Sequence, residues 1–147
     1  MADTATEQTV VAAPLERCYR VAADFESYPQ WAADVKEVTV DERDEQGKPL
    51  VVTYRAAAFG RSTSYTLSYN YGQAPQVLSW VQTKGDLTTK LDGRYEFEQI
   101  GDQETQVTYH LEVELKVPIP GFVKRRAETR IRQTALRELR ARVESTT

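Results

Sequence analysis

Val107-Thr-Tyr-His-Leu-Glu-Val-Glu-Leu-Lys-Val117, then Pro118-Ile-Pro-Gly-Phe122, then a long charged segment: this stretch decides how the chain folds. Apolar and polar residues first alternate with a period of two. Val107, Tyr109, Leu111, Val113 and Leu115 therefore share one face of a strand, and Thr108, His110, Glu112 and Glu114 the other. Past the Pro-x-Pro-Gly joint, Ala127, Ile131, Ala135, Leu139 and Val143 recur every four residues, and Phe122 and Leu136 widen the stripe. The pattern predicts a helix over about Gly121 to Glu144, roughly 35 Å long at the usual helical rise. An alternating strand feeding one dominant helix predicts a curved sheet that grips it. The small Ala127 and Ala135 either bring the sheet close or leave a gap.

Upstream, Thr6 to Val11 reads as a first strand. A helix follows from Ala13-Pro14 to about Asp24, because proline is tolerated in a first turn, and Leu15, Tyr19, Ala22 and Ala23 fall at helical spacing. Pro29 separates it from a second short helix packed by Phe25, Tyr28 and Trp31. Strands then run over Val35–Val40, Leu50–Ala58, Ser62–Tyr71, Val77–Thr83, Leu87–Gln99 and Thr105–Val117. Between them stand polar or glycine-bearing turns, Asp44–Lys48, Phe59-Gly60, Gly72–Pro75, Lys84–Asp86 and Ile100–Asp102, with no intervening helix, which predicts an antiparallel meander. No repeat or linker interrupts residues 1–147, read as one domain.

The same alternation puts Leu91, Gly93, Tyr95 and Phe97 on one face of their strand, and Tyr65, Leu67, Tyr69 and Tyr71 on one face of theirs. A tyrosine between sheet and helix needs a partner for its hydroxyl. Several together suit a pocket with polar anchors better than a dry core. Tyrosine also favours strands for its own sake, so a rim position is the competing reading for each one.

Composition excludes more than it assigns. With 40% hydrophobic and 28% charged residues the chain has the balance of a globular domain. No stretch reaches membrane-spanning length, and Met1-Ala-Asp-Thr lacks the basic start of a secretory leader. The single Cys18 allows no internal disulfide, so a reducing cytoplasm is the expected compartment. One Cys and one His cannot build a structural zinc site, no glycine-rich phosphate cradle occurs, and no metal or cofactor is expected. His110 falls on the polar face of its strand, which disfavours histidine-dependent nucleophilic catalysis, and Cys18 reads as a small buried side chain. From Gly121 onward eight Lys/Arg meet three acids, a net of +5 in a chain of −3, so the remainder is −8. Such a basic helix invites transient contact with a membrane, although i,i+4 pairs such as Glu138–Arg142 on a solvated face account for the charges equally. Overall acidity and the lack of interleaved aromatic and basic residues argue against nucleic acid.

Ala13-Pro-Leu-Glu-Arg-Cys18, Asp24-Phe-Glu-Ser-Tyr-Pro-Gln-Trp31, Leu91-Asp-Gly-Arg-Tyr-Glu-Phe97 and Pro118-Ile-Pro-Gly-Phe122 occur in an order that resembles the START-like, helix-grip (SRPBCC) superfamily, in particular its bacterial polyketide cyclase/dehydrase and lipid-transport branch. The resemblance covers nearly the whole chain. It implies an α+β helix-grip fold: a seven-stranded antiparallel sheet wrapped around the C-terminal helix, two short helices after the first strand, and a cavity between sheet and helix. That fold hosts carriers, cyclases, hydrolases and sensors alike, so it implies no single activity.

A hydrophobic ligand such as a lipid, isoprenoid quinone or polyketide is the expected partner. Tyr65, Tyr69, Tyr95, Phe97, Tyr109, Leu111, Phe122 and Ile131 are expected to line its cavity. Trp31 and Trp80 would flank the entrance or the ligand, or serve only as packing. Arg55, if turned inward, would polarise a carbonyl; turned outward, it is an ordinary strand arginine. No residue is assigned a catalytic role. The alternatives are an aromatase/cyclase or dehydratase in the same cavity, and an interaction protein whose cavity is filled. Oligomeric state is not legible.

Overall fold

A computed structural model describes residues 3–58 and 60–145. Seven strands form one antiparallel sheet: β1 (Asp3–Val11), β2 (Val35–Arg43), β3 (Pro49–Ala58), β4 (Arg61–Asn70), β5 (Val77–Gly85), β6 (Thr88–Gly101) and β7 (Glu104–Leu115). Their order is β1-β7-β6-β5-β4-β3-β2. The meander runs from β2 to β7, and β1 closes onto β7. Helix α1 (Leu15–Ala23) and a 3-10 helix (Phe25–Gln30) follow β1, and α2 (Gly121–Ser145) ends the fold. This is the helix-grip α+β arrangement that the resemblance implies, with the curved sheet gripping one dominant helix that the alternation predicts. Of the expected Phe59-Gly60 turn, Phe59 lies outside the described residues, while Gly60 has the left-handed φ of 77° that a tight hairpin asks of glycine.

The sheet curves where its register slips. Shifts interrupt the ladder between Val40 and Glu42 in β2, Thr66 and Leu67 in β4, and Thr88 and Lys90 in β6. Each such bulge bends its strand and increases the twist. The ladder between β5 and β6 spans only Val77–Trp80 against Gly93–Glu96. Beyond it Gln82 substitutes side-chain bonds: its backbone N–H donates to the Asp92 carboxylate (2.9 Å) and its Nε2 to Thr88 O (2.8 Å).

The position of α2 determines where space remains. Its main packing partners are β1, β7 and α1. Leu139 and Val143 are fully buried there and Leu136 nearly so, each contributing about 1.5–3 kcal/mol of hydrophobic stabilisation. Ala12 N–H donates to Glu144 Oε2 (2.8 Å), Ala33 N–H to Glu138 Oε2 (3.2 Å), and Arg142 Nη2 to Gln30 Oε1 (2.9 Å), tying the loops around the short helices to α2. With the helix held over β1 and β7, the inner faces of β3 to β6 are left facing a gap.

The expected apolar stripe of α2 is phased differently from the packed one. The buried positions are Glu128, Arg132, Leu136, Leu139 and Val143, one residue further round than Ala127, Ile131 and Ala135. Two charged side chains thus occupy the packed face. Lys124 Nζ lies 2.8 Å from Glu128 Oε2, and Arg132 Nε lies 4.0 Å from Glu7 Oε1 on the edge strand. Opposite charges close at hand make that burial tolerable.

Candidate functional site

Between α2 and the inner faces of β3–β7 lies a cavity whose volume open to water-molecule centres is about 180 Å³. One water needs roughly 10–15 Å³ on that measure, so the space admits a guest of many atoms. Period-two geometry supplies its sheet wall: Tyr54 from β3, Tyr65 and Tyr69 from β4, Trp80 from β5, Tyr95 from β6, Tyr109 and Leu111 from β7. Helix α2 supplies Ile131, Thr134, Ala135 and Glu138, and the segment after the 3-10 helix supplies Trp31, Ala32 and Asp34. Ala135 is small, and its lack of bulk is part of why the gap exists. The cavity reaches the surface at the exposed Ala57, whose N–H donates to Asp34 O (2.8 Å). Asp34 therefore stands at the mouth.

The aromatic wall is continuous. Tyr95 and Tyr109 stack at 4.9 Å, Trp80 lies 5.7 Å from Tyr95 and 5.9 Å from Tyr109, and Tyr54 stacks on Tyr65 at 5.4 Å. Trp80 lies against Gly93, its partner across the β5–β6 ladder, where a Cβ would stand 2.7 Å from the indole Cζ2 and 2.5 Å from His110 O. The glycine is what lets this indole lie close to the sheet.

The hydroxyls divide into two groups. Tyr28 donates to Ala22 O, and Tyr54 and Tyr69 share a 2.6 Å bond. The Tyr65, Tyr95 and Tyr109 hydroxyls have no partner among the described residues, although Tyr95 and Tyr109 are only 7% and 8% exposed. None of the three oxygens is sealed off from the cavity that their side chains line. Burial pushes the Tyr65 phenol up to about 12, and the Asp34 charge adds to it. Burial likewise raises Tyr95, with Glu138 adding, and Tyr109, where the nearby Arg132 pulls the other way. All three are protonated phenols at neutral pH, able to donate to a guest's oxygen.

Of the residues singled out by sequence, Trp31, Tyr65, Tyr69, Trp80, Tyr95, Tyr109, Leu111 and Ile131 meet in this cavity. Three do not. Arg55 is exposed on the outer face and pairs with Glu37 (3.2 Å), because its neighbours Tyr54 and Ala56 take the inward positions. Phe122 is 62% exposed at the start of α2, ahead of the part of the helix that the sheet covers. Phe97 is buried but lies past the cavity's end, stacked on Tyr95 (5.9 Å) and edge-on to Tyr19 of α1 (6.1 Å). Sequence reasoning overlooked Tyr54, Asp34, Thr134 and Glu138 as lining residues. Alternation with Val52 and Ala56 could have found Tyr54. Glu138 would have emerged only from the true helical phase, two turns after Ile131. Nothing in the sequence marks Asp34.

His110 does not stand alone on the outer face: Thr6 Oγ1 lies 3.1 Å from its Nδ1 and Glu96 Oε1 2.9 Å from its Nε2. The hydroxyl–imidazole–carboxylate connectivity is that of a nucleophilic triad. It lies along a sheet face, remote from the cavity lining, and ties β1, β7 and β6 together. Cys18 is buried, and burial raises its thiol, which suits packing rather than reaction. Among the described residues no group of His, Cys, Asp or Glu could hold a metal ion, and no helix is long and apolar enough to cross a membrane.

No curated protein matches this sequence. Solved structures do. A START superfamily protein from Mycobacterium smegmatis is 26% identical, with a TM-score of 0.92 over 98% of this chain and 99% of its own. The Zhui aromatase/cyclase from Streptomyces sp. R1128 is 14% identical, with a TM-score of 0.86 over 98% and 94%. A protein from Thermus thermophilus, TTHA0849, is 21% identical, with a TM-score of 0.83 over 99% of each chain. At those identities the last two speak for the fold alone. The sequence profile described as polyketide cyclase / dehydrase and lipid transport matches residues 11–140. With nearly the whole chain inside that match, and the cavity-bearing helix-grip fold to accompany it, the protein belongs to the polyketide cyclase/dehydrase and lipid transport family of START-like proteins.

Proposed function

We propose that this protein holds one hydrophobic small molecule, of the lipid, isoprenoid quinone or polyketide kind, between α2 and the inner faces of β3–β7. The observation that carries the reading is three phenols, Tyr65, Tyr95 and Tyr109, that have no hydrogen-bond partner among the described residues and are set in a largely apolar, aromatic wall. A core built only for stability would bond or omit them, since a buried hydroxyl without a partner costs about 1–3 kcal/mol. A guest oxygen in the cavity removes that cost and is fixed in orientation. Apolar burial supplies the affinity, at about 25 cal/mol per Å² removed from water.

An aromatase/cyclase or dehydratase reading uses the same space. It is favoured by the carboxylates of Asp34 and Glu138 beside the phenols, which together offer proton acceptors and donors within one cavity. Membrane contact, if the protein exchanges its guest there, belongs at the tip of α2 rather than along its length. Val117, Phe122 and Val123 are exposed at that tip beside the basic Lys116, Arg125 and Arg126.

The test is extraction. Protein purified without detergent, denatured and analysed by mass spectrometry should release one class of hydrophobic compound in stoichiometric amount, and Tyr65→Phe/Tyr109→Phe should retain less of it. Folded protein that is reproducibly empty and takes up neither quinones nor lipids contradicts the proposal.

A further inference from the structure

We propose that the guest this cavity selects is a hydrophobic cation: an apolar body ending in a protonated amine or quaternary ammonium held at the rim formed by Asp34 and Glu138. The inference rests on the container reading above and narrows its guest by charge. Two acids line the cavity, and among the described lining residues there is no Lys, Arg or His. Neither acid has an ion-pair partner among the described residues, whereas eight other pairs satisfy acids elsewhere. One Glu138 oxygen accepts Ala33 N–H (3.2 Å), which fixes the carboxylate and leaves Oε1 available.

The neighbouring bases lie outside the lining, and two of them turn to neutral oxygens. Lys36 Nζ donates to Ala33 O (2.8 Å) and Arg142 Nη2 to Gln30 Oε1 (2.9 Å). Arg132 stands behind Tyr109, outside the lining, and faces Glu7 at 4.0 Å. The lining itself thus carries two acids and no base, set in a largely apolar wall where charge acts more strongly than in bulk.

The wall supplies the second half of the argument. Trp31, Tyr65 and Tyr95 stand with these two acids, and the electron-rich faces of such rings attract an ammonium group. Tyr95, nine-tenths buried, brings a hydroxyl with no partner among the described residues, and its oxygen can accept an ammonium N–H. An anionic guest would face two carboxylates with no base to receive it. A neutral guest would gain the phenols, and at most a hydrogen bond from the acids without the attraction between opposite charges.

Three fluorescent probes with one naphthalene body, ending in trimethylammonium, hydroxymethyl or carboxylate, test this by titration at fixed ionic strength. The trimethylammonium probe should bind about tenfold tighter than the neutral one, equivalent to about 1.4 kcal/mol, and the carboxylate probe weakest. Asp34→Asn/Glu138→Gln should abolish the cation's advantage, read as the ratio of the trimethylammonium and neutral probes' affinities within each protein. If the neutral probe binds and the cation gains nothing over it, the charge inference is overturned while the container reading stands. If none of the three binds the folded protein, the container reading falls and takes this inference with it.

Discussion

The hydroxyl pair Tyr54–Tyr69 offers a direct measure of how the cavity floor is held. The two phenols lie 2% and 6% exposed and share one 2.6 Å hydrogen bond. Tyr69 also stacks on Phe25 at 4.0 Å, so its ring stays in place when the oxygen is removed. Deleting either oxygen forfeits the bond, worth about 1 kcal/mol net, and strands the other hydroxyl, for a combined cost of about 1–3 kcal/mol. Deleting both forfeits the bond but strands nothing. Tyr54→Phe and Tyr69→Phe should therefore each cost about 1.5–2.5 kcal/mol, and the double variant no more than either single one. The implied coupling is at least about 1 kcal/mol, well above the scatter of additive sites. Urea unfolding of the four proteins measures it, with unchanged m-values as the sign that only stability moved. Strictly additive losses, or singles without effect, would refute the claim that these hydroxyls are each other's partner in a dry floor.

Gly93→Ala should cost about 1–3 kcal/mol by overpacking, because the new Cβ meets a backbone oxygen at 2.5 Å and the Trp80 ring at 2.7 Å. Red-shifted tryptophan emission alongside a lowered urea midpoint is the expected signature, and an unchanged midpoint contradicts it. Alkaline stability follows from the raised phenols. Their protonated forms are favoured in the folded state, so their contribution is complete below the ordinary value of 10.0 and is lost as pH climbs through the folded value, about 12 for Tyr65. Unfolding free energy should fall steeply above that ordinary value, and tyrosine absorbance should show the buried phenols ionising only as the protein opens. Phe122→Asp should reduce sedimentation with anionic vesicles and leave neutral-probe binding intact, since the ring is 62% exposed and outside the cavity lining; unchanged sedimentation would remove the helix tip from any membrane contact.

The fold was legible because two periodicities meet across Pro118–Gly121, and because the strand registers obey simple alternation. The inward tyrosines of β4, β6 and β7 were legible for the same reason. The same rule, applied strictly, already turned Arg55 outward, since Tyr54 and Ala56 flank it. The helix was harder. Hydrophobicity alone sets its packed face on Ala127, Ile131 and Ala135, whereas Lys124–Glu128 and Arg132–Glu7 make burial of charge tolerable and rotate the packed face by one residue. That rotation turns Ile131, Ala135 and Glu138 toward the cavity and carries Phe122 into solvent. It depends on Glu7, more than a hundred residues away along the chain, and no local pattern encodes it. Asp34 became a rim residue only through the folding of the loop after the 3-10 helix onto β3.

The central claim is that the space between α2 and the tyrosine wall receives a guest. Titration of the neutral, environment-sensitive fluorophore N-phenyl-1-naphthylamine into the native protein and Ala135→Phe tests it most directly, because Ala135 faces that space. The account predicts one bound fluorophore per chain with blue-shifted emission, affinity reduced about tenfold or more by the plug, and stability of the plugged protein equal or higher. Binding that the phenylalanine leaves untouched, or no binding to either folded protein, would contradict it.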